Sequence, residues 1–540
     1  MHGRTPLEGR GRAWRMITAT GLLLTCAALG HATDWTQYRG QMGDGFSPDP
    51  MATKWATNSP GFVVWTNATL TNGFSSFCVS QGRAFTLCSR QIGGSVREVC
   101  AAVEAATGTN LWATVIDNAP WNYNSTGDGG SGTAPYNKGD GPRGTPSVQE
   151  GRVFALSAHL RLLCLNATNG AVLWSNNLAS AYGASTIAWD NAASPRLDGD
   201  LIFVNLNSAI NGQTLSAFRA ADGTRAWSSQ NEGMTHATPT VATIAGVRQV
   251  IFATATGLVS LNCTNGALLW KFPYPFGSIS TSMGASPLVY SNIVYCAAGY
   301  GKGAAAARIS VAGGAWTATQ LYYKTGSNYR NMWMTPVGYE GYVYTLSGDS
   351  GAFLTAPLNC IDLSTGELKW SVKNFGMGGL ILVNTNLLVL TEDGQLVLVR
   401  PNPAAYTELA RYRAFQFTAG APGKCWNSPA FSDGRIYARG TRGAVCLDVS
   451  VPPPPRLRVL AAEFLDSAHF QLVIGTTNGT AIDPARLPQL EVRATDTLGA
   501  PPGTWPRLTN ELTLTSGQVR MTNAINAGQP QFFYIVLERP

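Results

Sequence analysis

The 540-residue sequence predicts an all-β chain: an eight-bladed β-propeller of four-stranded antiparallel blades, followed by a small β-sandwich-like module. Three observations predict it. In five x-Gly hairpins a glycine stands four residues before a tryptophan: Gly108 to Trp112, Gly170 to Trp174, Gly223 to Trp227, Gly266 to Trp270 and Gly366 to Trp370. Ser-Pro or Thr-Pro recurs at Thr145, Ser194, Thr238, Ser286, Thr335 and Ser428, at spacings of 49, 44, 48, 49 and 93 residues, the last dividing at Gly379 into 44 and 49. Finally, only 13% of residues are charged, about half the usual share, and 59 are glycine. Asn, Thr, Ser and Gly supply the polarity, as many strands joined by tight turns require.

The elements follow in chain order. Residues 1–32 read as an export signal, with a basic stretch ending at Arg15, an apolar run to Gly30, and small residues before an expected cut after Ala32. The apolar run is about 15 residues, whereas a membrane span needs roughly 20. Leu23-Leu24-Thr25-Cys26 outlines a lipid-attachment box, with Thr25 where Gly, Ala or Ser is usual; a lipid anchor at Cys26 is therefore the minor alternative to a free periplasmic or secreted chain. Residues 33–61 form an N-terminal arm and 62–450 the propeller. Its first unit opens at Ser76 and carries an insert between Asn118 and Arg143. Each unit then alternates apolar and polar residues over short runs, as in Tyr342-Val343-Tyr344-Thr345-Leu346, which is the period of a strand.

In each hairpin the x-Gly pair supplies a positive-φ turn and the tryptophan sits on the returning strand. Proline is tolerated where a unit starts because a first strand residue need not donate to the ladder. The eighth unit ends at Asp448 without a Gly-to-Trp hairpin, and prolines from Pro452 forbid another strand. Phe62-Val63-Val64-Trp65 has no blade before it. Trp65 therefore completes the eighth blade beside Cys446 and closes the ring, removing the open sheet edges. Trp65, Trp112, Trp174, Trp227, Trp270 and Trp370 are expected to be structural. Residues 451–455 are a proline linker, and 456–540 form the small all-β module.

The string Cys360-Ile361-Asp362-Leu363-Ser364-Thr365-Gly366-Glu367-Leu368-Lys369-Trp370 resembles the repeat of the bacterial pyrroloquinoline quinone (PQQ)-like propeller family, over about residues 34–450. Trp35-Thr36-Gln37-Tyr38-Arg39-Gly40, Gly141 to Pro146, Gly299-Tyr300-Gly301-Lys302-Gly303 and Lys424-Cys425-Trp426 are similar to its exported branch. The resemblance implies the fold. It also implies two kinds of activity, since the family holds quinone-dependent dehydrogenases and non-catalytic outer-membrane assembly scaffolds. WD40 propellers have Asp after the tryptophan; here Ala, Ser, Ser, Lys and Ser follow.

Charge and motif content narrow the choice. Once the signal is removed, 34 basic residues face 30 acidic ones, and no basic cluster interleaved with aromatics points to nucleic acid. A quinoprotein of the resembling family uses adjacent disulfide-bonded cysteines, a Ca²⁺ site and an Asp base; the sequence has no Cys-Cys pair and no Cys-x-x-Cys-His haem motif. Cys164, Cys360 and Cys446 share one repeat position and read as small buried residues. Only Cys88 and Cys100 are candidates to pair, with two buried thiols as the plainer reading. The propeller's two histidines, His159 and His236, cannot build a His-based metal site, and Asp128 and Asp140 read as acids of a flexible loop.

No catalytic residue, metal or cofactor is predicted. The expected function is that of an exported, non-catalytic, monomeric propeller binding a protein, peptide or polysaccharide through its loop face, without nucleic acid or a transmembrane span. The alternative is a PQQ- and Ca²⁺-dependent dehydrogenase oxidising an alcohol or sugar. The candidate contact residues are Arg143, Glu232, His236, Lys302 and Trp426. Arg143, Glu232, Lys302 and Trp426 are expected to cluster at the mouth of the tunnel, beside an insert bearing Trp121, Tyr123 and Tyr136.

Overall fold

The computed structural model describes residues 34–118, 141–279, 283–349, 352–418, 423–497, 499, 501–524 and 533–539. The signal region, Cys26, and Trp121, Tyr123, Asp128, Tyr136 and Asp140 of the insert lie outside the described residues. The chain divides into two compact units: Ala32–Pro452, and a second that holds Pro453–Pro540.

The first unit is a β-propeller. Among the described residues it contains eight sheets, each built from successive antiparallel strands, with N-terminal strands added to the last two. Sheets 1 to 7 run over 78–118, 147–177, 196–229, 240–273, 288–324, 337–372 and 379–413, and sheet 8 over 430–448. The fourth strand of sheet 8 is Val63–Asn67, with Trp65 opposite Cys446, so the N-terminal segment closes the ring where the repeat predicts.

The Gly-to-Trp repeat works between sheets. Four of the indoles lie over the hairpin glycine of the next sheet. A Cβ on Gly108, Gly170, Gly223 or Gly266 would stand 2.6 Å from the ring of Trp65, Trp112, Trp174 or Trp227 respectively. The glycine is thus required twice, by φ near 71–74° and by the ring above it. Each of those indoles donates its Nε1–H to a carbonyl of the same neighbouring turn, from Trp65 to Ala105 at 3.0 Å through Trp227 to Cys263 at 3.0 Å. Trp270 departs from the pattern. The next hairpin, Gly303–Ala312 and Ala315–Lys324, is long, and Trp270 bonds Gln249 of its own sheet at 2.8 Å. Tyr322 takes the covering place over Gly366.

Inside five of the sheets the tryptophan meets an aromatic ring across a small residue. Cys164 lies between Phe154 and Trp174, Cys360 between Tyr344 and Trp370, and Cys446 between Tyr437 and Trp65. Ring centroids in these three sheets are 6.0–6.1 Å apart. A larger residue between them would hold the rings apart, which explains the repeated cysteine. The candidate Cys88–Cys100 pair does not form: Cys88 faces Val99 and Cys100 faces Leu87, so the one-residue offset sends the two thiols to opposite faces of the sheet. All nine described cysteines are free and buried.

The Ser/Thr-Pro pairs also link sheets. The first strand starts two residues after each hydroxyl residue, for example at Ser147 and Thr240, and at four of the six the hydroxyl accepts the N–H of its counterpart in the preceding sheet. Ser76 N–H donates to Thr145 Oγ1, Thr145 N–H to Ser194 Oγ, Ser194 N–H to Thr238 Oγ1 and Ser286 N–H to Thr335 Oγ1, all at 2.9–3.0 Å. At the seventh sheet there is no hydroxyl. Gly379 stands there because a Cβ would lie 2.4 Å from the Asn427 carbonyl oxygen.

The second unit has two sheets, Leu457–Phe464, His469–Thr476, Gln518–Ala524 and Thr513–Thr515 in one, Leu490–Thr495 with Phe533–Glu538 in the other. Leu472, Ile474 and Met521 of the first pack with Leu490, Val492 and Val536 of the second in one core. No described helix is long and apolar enough to cross a membrane.

Candidate functional site

The N-terminal arm crosses the centre of the ring. Trp35 pairs with Val79 of sheet 1, Thr36 accepts from Val148 N–H of sheet 2, and Gln37 Oε1 accepts from Leu197 N–H of sheet 3. On the far side, Arg39 donates to the carbonyls of Thr335, Pro336 and Leu380 at 2.7–3.2 Å, and Phe46–Ser47 runs parallel to Gly379–Val383. The guanidinium is wholly buried, and loss of water lowers its pKa. Carbonyl oxygens replace that water without a carboxylate.

Above the arm lies a cavity of about 370 Å³, with Tyr38 contributing to its floor. The Tyr38 hydroxyl is 3.2 Å from Thr335 Oγ1. Ser194 and Thr238 of the inter-sheet links line the cavity, as do Asn427 and Ser428. Aromatic side chains make the walls: Phe74, Trp189, Trp333 and Trp426, with Tyr300 and Phe353 exposed by 48% and 44%.

Three of the five expected contact residues converge here: Arg143, His236 and Trp426. Arg143 lies over the Phe74 ring at 5.6 Å and donates to the Trp189 carbonyl at 3.5 Å. His236 Nε2 is 3.0 Å from the Asp190 carbonyl oxygen. Trp426 is a packed hub. Phe74 and Phe353 stack on it at 5.1 and 5.8 Å, Trp333 lies at 4.5 Å, and Lys424 Nζ is 3.9 Å from its ring. Its Nε1–H donates to Glu392 Oε1 at 2.9 Å, so it offers the cavity an edge.

Glu232 and Lys302 do not line the cavity, which corrects the expected four-residue cluster at its mouth. Glu232 is 7% exposed and accepts from Lys271 Nζ at 2.7 Å and from the Thr254 and Thr256 hydroxyls at 3.2 Å. It ties the chain leaving sheet 3 to sheet 4. Lys302 donates to the Phe276 carbonyl at 3.2 Å, anchoring a loop of sheet 5. The sequence reading missed Trp189, Trp333 and Phe353. A signal was present for the first two: like Trp426, they lack the glycine four residues before that marks a structural tryptophan.

Behind Trp189 sits a proton-holding cluster. Trp189 and Asp190 both have left-handed backbones, with φ 64° and 58°. The Asp190 carboxylate is 3.9 Å from His159 Nε2, whose Nδ1 is 3.7 Å from Asp117. Glu98, opposite Asp117 in its sheet, accepts the Ala158 N–H at 3.1 Å. Burial pushes the Glu98 carboxyl up to about 8. The Asp117 partnership raises His159, and burial raises Asp190. Burial also pushes Asp117 up, but its bonds to His159 and Ser157 outweigh that and leave it lowered.

The folded protein therefore keeps protons that the unfolded chain has released above the ordinary Glu pKa near 4.5. Stability should fall as pH rises from that value through about 8, reversing the usual behaviour of a paired acid. The melting temperature should be higher at pH 6 than at pH 8.5, and Glu98→Gln should flatten that slope. An unchanged slope in the variant would remove Glu98 as the cause.

A family model described as outer membrane protein assembly factor BamB matches residues 96–327. A protein of that name from Moranella endobia (strain PCIT) is 24% identical over 261 residues, covering 47% of this chain and 63% of the relative, so the match spans less than two thirds of that protein. The quinohemoprotein alcohol dehydrogenase of Comamonas testosteroni superposes with TM-score 0.53 at 13% identity, covering 84% of each chain. One from Pseudomonas putida HK5 gives 0.51 at 12% identity, covering 80% of this chain and 83% of that one. The two structures share the fold. In repeat and architecture the chain is similar to the PQQ-like β-propeller family.

The alternative expectation is PQQ with Ca²⁺, and the cavity does not fit that pair. No carboxylate side chain lines it among the described residues, so a Ca²⁺ beside the quinone would lack its anionic oxygen ligands. Trp426 is already packed by stacked Phe74 and Phe353 rings and by Lys424 Nζ over its ring, which a flat cofactor stacking on that indole would have to displace.

Proposed function

We propose that this protein is an exported, non-catalytic β-propeller that binds a protein partner through the face onto which the aromatic cavity opens. The observation that carries the proposal is the cavity itself, floored by the arm at Tyr38, walled by aromatic rings and lined by no carboxylate among the described residues. Deep, desolvated aromatic pockets are where protein interfaces concentrate their binding energy. The name of the matched family, an assembly factor, is compatible with a protein partner. Export rests on the N-terminal sequence.

The test places a photo-crosslinking residue at Phe353 or Tyr300 on the rim and, as control, at Ile210, which is 60% exposed and away from the cavity. Crosslinking in the living cell should give protein adducts from the rim positions only. Adducts sensitive to glycosidase but not to protease would make the partner a polysaccharide. Titration with PQQ and Ca²⁺ should give no saturable binding. Ca²⁺-dependent binding tighter than about 1 μM, roughly −8 kcal/mol, would overturn the scaffold reading in favour of a quinoprotein.

A further inference from the structure

We infer that the cavity has a pH-sensitive wall: Trp189 is held in place through Asp190 by an imidazole shared among three carboxyl groups, and it is released when that cluster loses a proton. The cavity is the site of the protein-binding function proposed above, and the regulatory meaning of the movement rests on that reading. The path from cluster to cavity is short. Trp189 lines the cavity, and the carbonyl oxygen of Asp190, the next residue, is 3.0 Å from Nε2 of His236, a second lining residue. The Asp190 side chain, 5% exposed, belongs to the cluster. Its Oδ1 accepts the Thr186 hydroxyl at 3.3 Å, while its Oδ2 is buried with no hydrogen-bond donor among the described residues. What holds Oδ2 is charge, the His159 imidazole at 3.9 Å.

Glu98 and Asp117 face each other on paired strands of sheet 1, so neither moves without breaking the ladder. Asp190 instead lies in residues 183–195, between the short helix Leu178–Tyr182 and the first strand of sheet 3. There it and Trp189 keep adjacent left-handed backbones, which only the surrounding contacts maintain. Asn191 N–H donates to the Ala158 carbonyl at 2.9 Å and supplies a pivot. Of the three acids, Asp190 is the one built to give way. The groups facing Glu98 are Asp117, His159, Asp190 and the Cys100 thiol two residues along its own strand. Farther out, Arg161 Nε is 3.8 Å from Asp117, and Arg143 acts on Asp190. With Glu98 protonated, two carboxylates share the imidazole; ionised, Glu98 is a third, 1% exposed. Burial pushes its pKa up to about 8 in this arrangement, and water admitted by a displaced Asp190 would return it toward the ordinary 4.5. The conformer that binds the proton less tightly gains population as pH rises, so alkaline conditions select the released wall.

The test labels the mature full chain with 5-fluorotryptophan and follows its fluorine NMR spectrum between pH 6 and pH 8.5, with Trp189→Phe, Trp333→Phe and Trp426→Phe assigning three resonances. The Trp189 resonance should shift across this range while those of Trp333 and Trp426 stay. In Glu98→Gln it should remain at its pH 6 position, and in Asp190→Asn it should no longer depend on pH; if the first variant fails to fold, the second carries the test. A Trp189 resonance indifferent to pH in the unsubstituted protein would overturn the inference. So would the same shift in either variant, or one shared equally by Trp333 and Trp426, which marks a change of the whole propeller. Rim crosslinks to protein beside an immobile Trp189 would leave the proposed function standing without its switch. A titrating Trp189 without rim crosslinks would leave the switch and remove the function.

Discussion

Replacing Arg439 by Ala should cost about 3 to 5 kcal/mol of unfolding free energy, as expected when a buried charged group is removed from its partners. Arg439 is 1% exposed, in Arg435–Gly440 of sheet 8, and reaches into sheet 1 and the segment before it. It donates to the carbonyls of Leu70, Thr71, Ser75 and Leu87 and, at 2.9 Å, to Thr86 Oγ1. No carboxylate is involved, and burial lowers its pKa to about 10. Truncation strands these acceptors away from water at the seam where the propeller's first and last sheets meet. Arg439→Lys should recover less than half of the loss, because one ammonium cannot reach carbonyls fanned around a planar guanidinium. Urea denaturation of the three proteins checks both statements, and a cost below about 1 kcal/mol for the alanine variant would contradict them.

Trp65→Ala should be comparably severe, about 3 to 5 kcal/mol, the range for a large buried aromatic. Trp65 is 6% exposed, covers Gly108, donates to the Ala105 carbonyl at 3.0 Å, and lies 6.1 Å from Tyr437 and 6.5 Å from Phe77. Trp174→Ala removes a half-buried ring with the equivalent bond, at 3.2 Å, from mid-ring, and should cost less. If the two variants lose equal stability, Trp65 is one packing unit among several and not a closure. Since Trp65 and Arg439 act on the same seam, their double mutant should lose less than the sum of the singles. Hydrogen exchange should then quicken first in sheets 1 and 8.

The repeat was legible because glycine and tryptophan at a fixed offset leave a one-dimensional trace. Even the closing strand carries it: Gly61 precedes Trp65 by four residues, a sixth instance that went unused. The offset does not reveal the partner. Trp112 covers Gly170 and not its own Gly108, since the contact is made across sheets. The same holds for the Ser/Thr-Pro pairs, whose proline is explained within one strand and whose hydroxyl is explained only by the neighbour's N–H.

The candidate site was legible in part. Arg143, His236 and Trp426 were chosen for their positions at strand openings and in repeated strings, and those openings do surround the channel. Glu232 and Lys302 sit in similar strings, but each is turned into a local bond, and nothing linear distinguishes a side chain facing the axis from one facing the next sheet.

By itself, then, the sequence determined the strand period and the unit length, because each follows from residues within one repeat of one another, and it marked the segment that completes the last sheet by a missing hairpin at one end of the array and an orphan strand at the other. Only the tertiary structure decided that the arm floors the channel, that Arg439 seals the seam and that an aromatic cavity results. Arg439 reaches carbonyls more than 350 positions away, and Tyr38 reaches Thr335 across 297, distances at which no local pattern survives and only the closure of the ring brings the groups together.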